Sequence, residues 1–184
     1  MKVKVNKVTI QLLQDDILSL DVNGIVNSTD PNLHLNPTMM LRAGDKLQEA
    51  VTNIGWCDIG DAVITDGGDL PFQKIIHAVG PRWGEGSERG KLANATLACL
   101  RLAEQYRLRS LALPAISAGV LGYPLENCAR TIITQIIDYT FENPRFLKLV
   151  VICLDNLTAM TVFQNELKLQ VEQLKNAGEG EVTV

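Results

Sequence analysis

Residues 111–124 constrain this chain more than any other stretch. An apolar run, Leu111–Leu113, passes into Pro114-Ala115-Ile116-Ser117-Ala118-Gly119-Val120-Leu121-Gly122-Tyr123-Pro124. It reads as a buried strand, a loop holding Ser117, Gly119 and Gly122, and a helix that starts at or just after Pro124. Glycines let a backbone come close to a ligand, and a helix N-terminus leaves unpaired N–H groups pointing into the same space. Such a junction suits a bound phosphate. An ordinary strand-to-helix turn is the alternative reading of the glycines alone.

The rest of the chain repeats the alternation. Val3–Leu13 predicts one long strand, or two short ones meeting near Asn6-Lys7, and Ile25–Ser28 a short buried strand. Asn36-Pro37 is a helix start, with Asn as cap and Pro at the first helical position. Met40, Leu41, Leu47, Val51 and Ile54 then predict one apolar helical face over Thr38–Asn53. Asp61–Thr65 and Lys74–Val79 read as an antiparallel pair around Asp66-Gly67-Gly68-Asp69. A helix over Lys91–Tyr106, the 111–124 junction, a helix over Pro124–Phe141, a strand over Lys148–Leu154 and a helix over Asn156–Asn176 complete the order.

This order predicts a three-layer α/β/α domain, its mixed and mostly parallel central sheet covered by helices on both faces. One domain over residues 1–177 is expected, with 178–184 a frayed tail. In open sheets of this kind ligands sit beyond the carboxyl ends of the strands. Asp16, Asn27 to Asp30 and Ser117 to Gly122 collect there.

A net charge of −4 argues against a general grip on nucleic acid, which needs clustered Lys and Arg. An anion site would therefore be local and built from backbone amides. Cys57, Cys99, Cys128 and Cys153 are scattered, without a Cys-x-x-Cys pair, as in a reduced cytoplasmic protein. His34 and His77 are too few and too isolated for a His-rich metal site, and His77, inside an apolar strand, reads as a core histidine. No metal or cofactor is implied, and no run of apolar residues is long enough to span a membrane.

Five segments in this order resemble the macrodomain family, the ADP-ribose-binding modules, over about residues 8–170. Gln14-Asp15-Asp16-Ile17 resembles the family's Gly-Asp-Ile element, with Asp15 in place of Gly, and Ile25-Val26-Asn27-Ser28-Thr29-Asp30 its Val-Asn-Ala-Ala-Asn element. Val63–Pro71 and Ile75–Trp83 are similar to the family's middle, and Pro114–Pro124 to its second phosphate loop. The resemblance implies that Asp16 accepts a hydrogen bond from the adenine amine, with Ile17 as neighbouring backbone and apolar wall. From the residues alone, Asp16 reads as a solvated turn residue or a helix cap. It further implies that Ser117, Ala118, Gly119, Val120, Leu121 and Gly122 wrap the diphosphate through main-chain N–H groups. Tyr123 would lie near the distal ribose, with core packing as its alternative.

The departures bear on mechanism. Asp30 stands where the hydrolytic members carry a second Asn, and Pro31–Met40 replaces their Gly-Gly-Gly-Val-Asp run, so that no glycine occurs between Gly24 and Gly44. In this respect the segment resembles the macro-histone and other non-catalytic branches. Leu154 occupies a place where many members stack an aromatic ring on adenine. Three readings follow. One is a module that binds ADP-ribose, free or as mono-ADP-ribosyl groups on protein. Another is a hydrolase of an ADP-ribose ester or of ADP-ribose 1″-phosphate, with water held by Asn27, Asp30 or the substrate's own phosphate. The third is a scaffold with a degenerate site.

Overall fold

The computed structural model describes residues 1–184. The apolar alternation of its first residues breaks once, at Asn6, whose φ of 55° is the left-handed conformation that Asn tolerates in a turn. Two strands result, β1 (Lys2–Val5) and β2 (Val8–Gln14), paired antiparallel with Val5 opposite Val8. The further strands are β3 (Gly24–Thr29), β4 (Asp61–Asp66), β5 (Lys74–Val79), β6 (Ser110–Leu113), β7 (Leu149–Leu154) and β8 (Val182–Thr183). They form one sheet in the order β4-β5-β3-β6-β7-β2-β1-β8. The central strands β5, β3, β6, β7 and β2 are mutually parallel; β4 and β1 flank them antiparallel, and β8 pairs antiparallel with β1 at the outer edge.

The helices are α1 (Pro37–Ala43), α2 (Asp45–Ile54), α3 (Glu88–Gln105), α4 (Leu125–Thr140) and α5 (Leu157–Ala177), none of them long and apolar enough to cross a membrane. Successive strand residues point to opposite faces, so each face has its own core. Val26 joins Ile10, Leu12, Ile132 and Phe163 in a cluster of 33 residues under α3, α4 and α5. Its neighbour Ile25 joins Leu33, Met39, Leu47 and Val51 in a cluster of 15 under α1 and α2. The architecture is thus the three-layer α/β/α fold expected from the sequence.

Two expectations are corrected. The single helix over 38–53 is two helices, because Gly44 adopts φ 74° and the Asp69 amide donates to the Ala43 carbonyl at 2.8 Å, docking the 66–73 loop against the break. Helical periodicity survives the break, which is why the sequence pattern does not reveal it. Residues 178–184 return to the sheet instead of fraying. Val182 pairs with Val5, and the Asn6 side chain accepts from the Glu181 amide at 3.1 Å. An open edge on β1 provided the partner, a circumstance that the composition of the tail does not encode.

Candidate functional site

Because β2, β3, β6 and β7 run parallel, their carboxyl ends open on one edge of the sheet, and a cleft lies across them. One half, about 530 Å³, is lined by Asp15, Asp16, Ile17, Ala118, Gly119, Leu154 and neighbours. The other, about 360 Å³, is lined by residues that include Asn27, Asp30, His34, Asn36, Val120 and Leu121. Ser28 and Ala118 line both halves, so the two adjoin across these residues. No lysine or arginine lines either half.

The loop after β6 owes its chemistry to its internal hydrogen bonds. Ala118, Gly122 and Tyr123 donate their amides to Ala115, Gly119 and Ser117 carbonyls respectively, and Ser117 donates to Ser28 Oγ at 3.5 Å. Gly119, Val120 and Leu121 donate to no protein acceptor. Three consecutive residues that line the cleft thus carry N–H groups without a protein acceptor, an arrangement that concentrates positive partial charge. Gly119 sits at φ 80°, and nothing lies within 4 Å of where a Cβ would be. The loop leads directly into α4, whose first turn has no side-chain cap.

This geometry narrows the sequence-predicted set. Gly122 and Ser117 shape the loop without lining the cleft; the Ser117 side chain is buried with its hydroxyl unpartnered, on a backbone held at φ 68°. Tyr123 is corrected: its ring is 4% exposed and packs edge-on against Trp83 at 5.0 Å between centroids, in the core and away from the cleft.

At the other wall Asp16 combines two readings. One carboxylate oxygen caps the Ile17–Ser19 turn by accepting from the Leu18 amide at 3.0 Å, while the second is 3.8 Å from the Arg42 guanidinium and faces solvent beside the cleft. The Ile17 amide is unpaired. Leu154 forms an apolar floor, and Cys153 donates its thiol to the Asp15 carbonyl at 3.2 Å, burial pushing that thiol up to about 11.

The far half is built on β3. Asn27 is buried and donates Nδ2 to His77 Nδ1 at 3.2 Å, while His77 Nε2 lies 2.9 Å from Thr65 Oγ1. His77 is thus the satisfied core histidine expected, in its neutral Nε2–H form, and burial pushes it down to about 4. It also fixes the amide of Asn27. Beyond β3 the chain turns on Asp30, whose Oδ1 accepts from the Asn32 amide at 2.9 Å and whose Oδ2 accepts from His34 Nδ1 at 2.7 Å. Burial raises the Asp30 carboxyl, but the hydrogen bonds from His34 and Asn32 outweigh it and hold it below the usual carboxylate value. His34 was not singled out from the sequence as a site residue. The Asp30-x-x-x-His34 spacing was the available signal, hidden because it lies in a loop where spacing does not fix geometry.

A family model described as Macro domain matches residues 37–132. The O-acetyl-ADP-ribose deacetylase of Enterobacter sp. (strain 638) is 37% identical over 163 residues, covering 83% of this chain and 91% of that protein. A macro domain-containing protein of Xanthomonas axonopodis pv. citri is 36% identical over 173 residues, covering 88% and 96%. Among solved structures, the Oceanobacillus iheyensis macrodomain with ADP superposes with a TM-score of 0.88 at 30% identity, over 94% of this chain and 97% of that one. A variant of the same macrodomain, with ADPR, gives 0.86 at 29% identity over 94% and 98%. Likeness in sequence and likeness in fold each extend over most of the chain, and the chain belongs to the macro domain family.

Proposed function

We propose that this chain binds ADP-ribose along the cleft, with adenine between Asp16 and Leu154, the diphosphate on the amides of Gly119, Val120 and Leu121, and the distal ribose toward Asn27 and Asp30. The observation that carries the reading is the run of three unpaired amides in a cleft that no lysine or arginine lines. A diphosphate needs donors, and oriented backbone N–H groups supply them without desolvating a side-chain cation. Asp16 retains one oxygen for a donor such as the adenine amine, since a carboxylate only accepts. The names of relatives agree with this ligand class: one solved neighbour holds ADPR and another ADP.

The far end is open to solvent, with Val120 93% exposed at its rim, so a ribose carrying an acceptor, such as a mono-ADP-ribosylated protein side chain, fits the same reading. The departures around Asp30 suggested a non-catalytic branch, yet relatives at this level of identity bear the name O-acetyl-ADP-ribose deacetylase, which favours a hydrolytic role. The degenerate-scaffold reading is opposed by Leu33, which turns into the smaller core instead of filling the cleft.

Calorimetric titration with ADP-ribose, AMP and ribose 5-phosphate tests the proposal. Binding of ADP-ribose more tightly than of either fragment is expected, because only the whole molecule engages both halves. Absence of heat and of any thermal shift at millimolar ADP-ribose would reject it.

A further inference from the structure

We propose that His34, oriented by Asp30, is a general base that drives hydrolysis of a carboxylic ester on the distal ribose. The inference rests on the ADP-ribose reading above and on the acyl-ester cleavage that the names of relatives print, and adds the residue that activates water.

The pair is built into the loop, not made by chance contact of two surface side chains. The chain around Asp30 is held at three points: Asp30 Oδ1 accepts from the Asn32 amide, the Asp30 carbonyl accepts from the Leu33 amide at 2.9 Å, and the adjoining Pro31 carbonyl accepts from the amide of Cys57, beyond α2, at 3.0 Å. The His34 carbonyl accepts from Thr29 Oγ1 at 2.6 Å, which ties the backbone of residue 34 to the end of β3. Leu33, between them, holds φ 61° with its side chain buried, so burial of one leucine stabilises the bend that brings residues 30 and 34 together. The side chains themselves are 43% and 75% exposed. An exposed pair of this kind contributes about 0–1 kcal/mol to stability, so the bend rests on Leu33 and the backbone bonds and not on the pair.

Chemistry follows from the tautomer. A carboxylate cannot donate, so His34 Nδ1 carries the proton that Asp30 accepts, and Nε2 presents its lone pair. Nε2 has no protein partner and belongs to the same half-cleft as Asn27 and Val120. No other titratable side chain lines that half besides Asp30.

In the proposed step, water donates a proton to His34 Nε2 as its oxygen attacks the acyl carbon, and the carbonyl π pair moves onto oxygen. The tetrahedral adduct collapses with cleavage of the acyl carbon to ribose oxygen bond. That ribose oxygen recovers the proton from His34. A carboxylic acid and a free ribose hydroxyl leave, no oxidant or metal is required, and Asp30 stabilises the imidazolium between the two transfers.

Charge selects the ester. A phosphate monoester would bring a dianion beside the Asp30 carboxylate in a half-cleft without a lysine or arginine, where like charges repel. A neutral acyl group meets no such penalty.

The test uses the whole chain with O-acetyl-ADP-ribose, release of acetate followed from pH 5 to 9, and ADP-ribose calorimetry run in parallel. We expect His34→Gln to lower kcat about 100-fold with KM changed less than about 3-fold, as for loss of a general base. Asp30→Asn should lower kcat about 10-fold with KM changed less than about 3-fold, and combining it with His34→Gln should lower kcat no further than His34→Gln alone, because Asp30 acts only through His34; a merely structural role would add its own loss. Wild-type kcat in His34→Gln overturns the proposal. So does a wild-type protein that binds ADP-ribose but releases no acetate, or one that cleaves ADP-ribose 1″-phosphate in preference to the ester. Failure of the wild type to bind ADP-ribose at all would instead remove the underlying reading, and the inference with it.

Discussion

The two loops that face each other across the cleft solve opposite problems. Residues 30–36 direct their hydrogen bonds inward: Asp30, Asn32, Leu33 and His34 engage one another, and Asn36 caps α1 by accepting from the Met39 amide at 2.8 Å. Residues 117–123 bond at their ends and leave the middle, Gly119 to Leu121, unpaired. The first loop has no glycine and relies on buried Leu33 to hold a left-handed turn, whereas the second uses Gly119 and Gly122 at φ 80° and 74°. A loop that contacts an anion with its backbone must keep amides open. One that aims side chains must close its own backbone, and leucine, with a core to enter, does this as well as glycine.

The largest effect should come from filling the open loop. Gly119→Val puts a branched side chain where nothing now stands and forces it into a left-handed backbone, so ADP-ribose affinity should fall at least about 100-fold, or about 2.8 kcal/mol, by calorimetry. Undiminished affinity would mean that the two loops do not differ in the way described. On the closed loop, Leu33→Gly relieves about 1–2 kcal/mol of left-handed strain but removes a fully buried leucine worth more. The balance predicts a protein about 2 kcal/mol less stable in urea. A gain in stability would show strain, not packing, to dominate that bend.

Beneath the closed loop, His77 couples the site to pH. Its folded value of about 4 lies below the ordinary 6.5, so the unfolded chain takes up a proton that the native state refuses. The stability it contributes is complete above about pH 6.5 and is lost as pH falls toward 4, amounting to about 2 kcal/mol between pH 8 and pH 5. Denaturant titrations of wild type and His77→Gln should differ in pH slope by that amount, and parallel slopes would contradict the buried neutral imidazole. The smallest effect concerns the wall that neither loop provides. Asp16→Ala should weaken ADP-ribose about 10-fold while leaving ribose 5-phosphate unaffected, since only the former carries adenine. Equal losses would reduce Asp16 to its cap on the Ile17–Ser19 turn.

Regular elements were legible because their signals are local. Alternating valines in β1 and β2, the Asn36-Pro37 start of α1 and the apolar period of α4 each report on a few neighbouring residues. The place of Asp16, Ile17 and Leu154 at the cleft and the glycines of the second loop were legible through the resemblance. Tyr123 was misplaced because an aromatic residue beside a phosphate loop can turn either way, and Trp83, forty residues earlier in the chain, supplied the core partner. His34 was passed over because a histidine in an irregular segment has no periodicity to say which way it points.

From its residues alone, then, the chain fixes alternating strands and helices, a glycine-bearing strand-to-helix loop and an acidic balance, because these depend on local conformation and net charge. The assembled fold alone decides which amides stay open, that Gly44 splits a helix against Asp69, that the tail closes onto β1, and that Asp30 meets His34 beside Asn27. Each of these is a contact between segments, set by which edge, face or cavity the packed sheet happens to offer, and residue type does not specify that until the chain has closed upon itself.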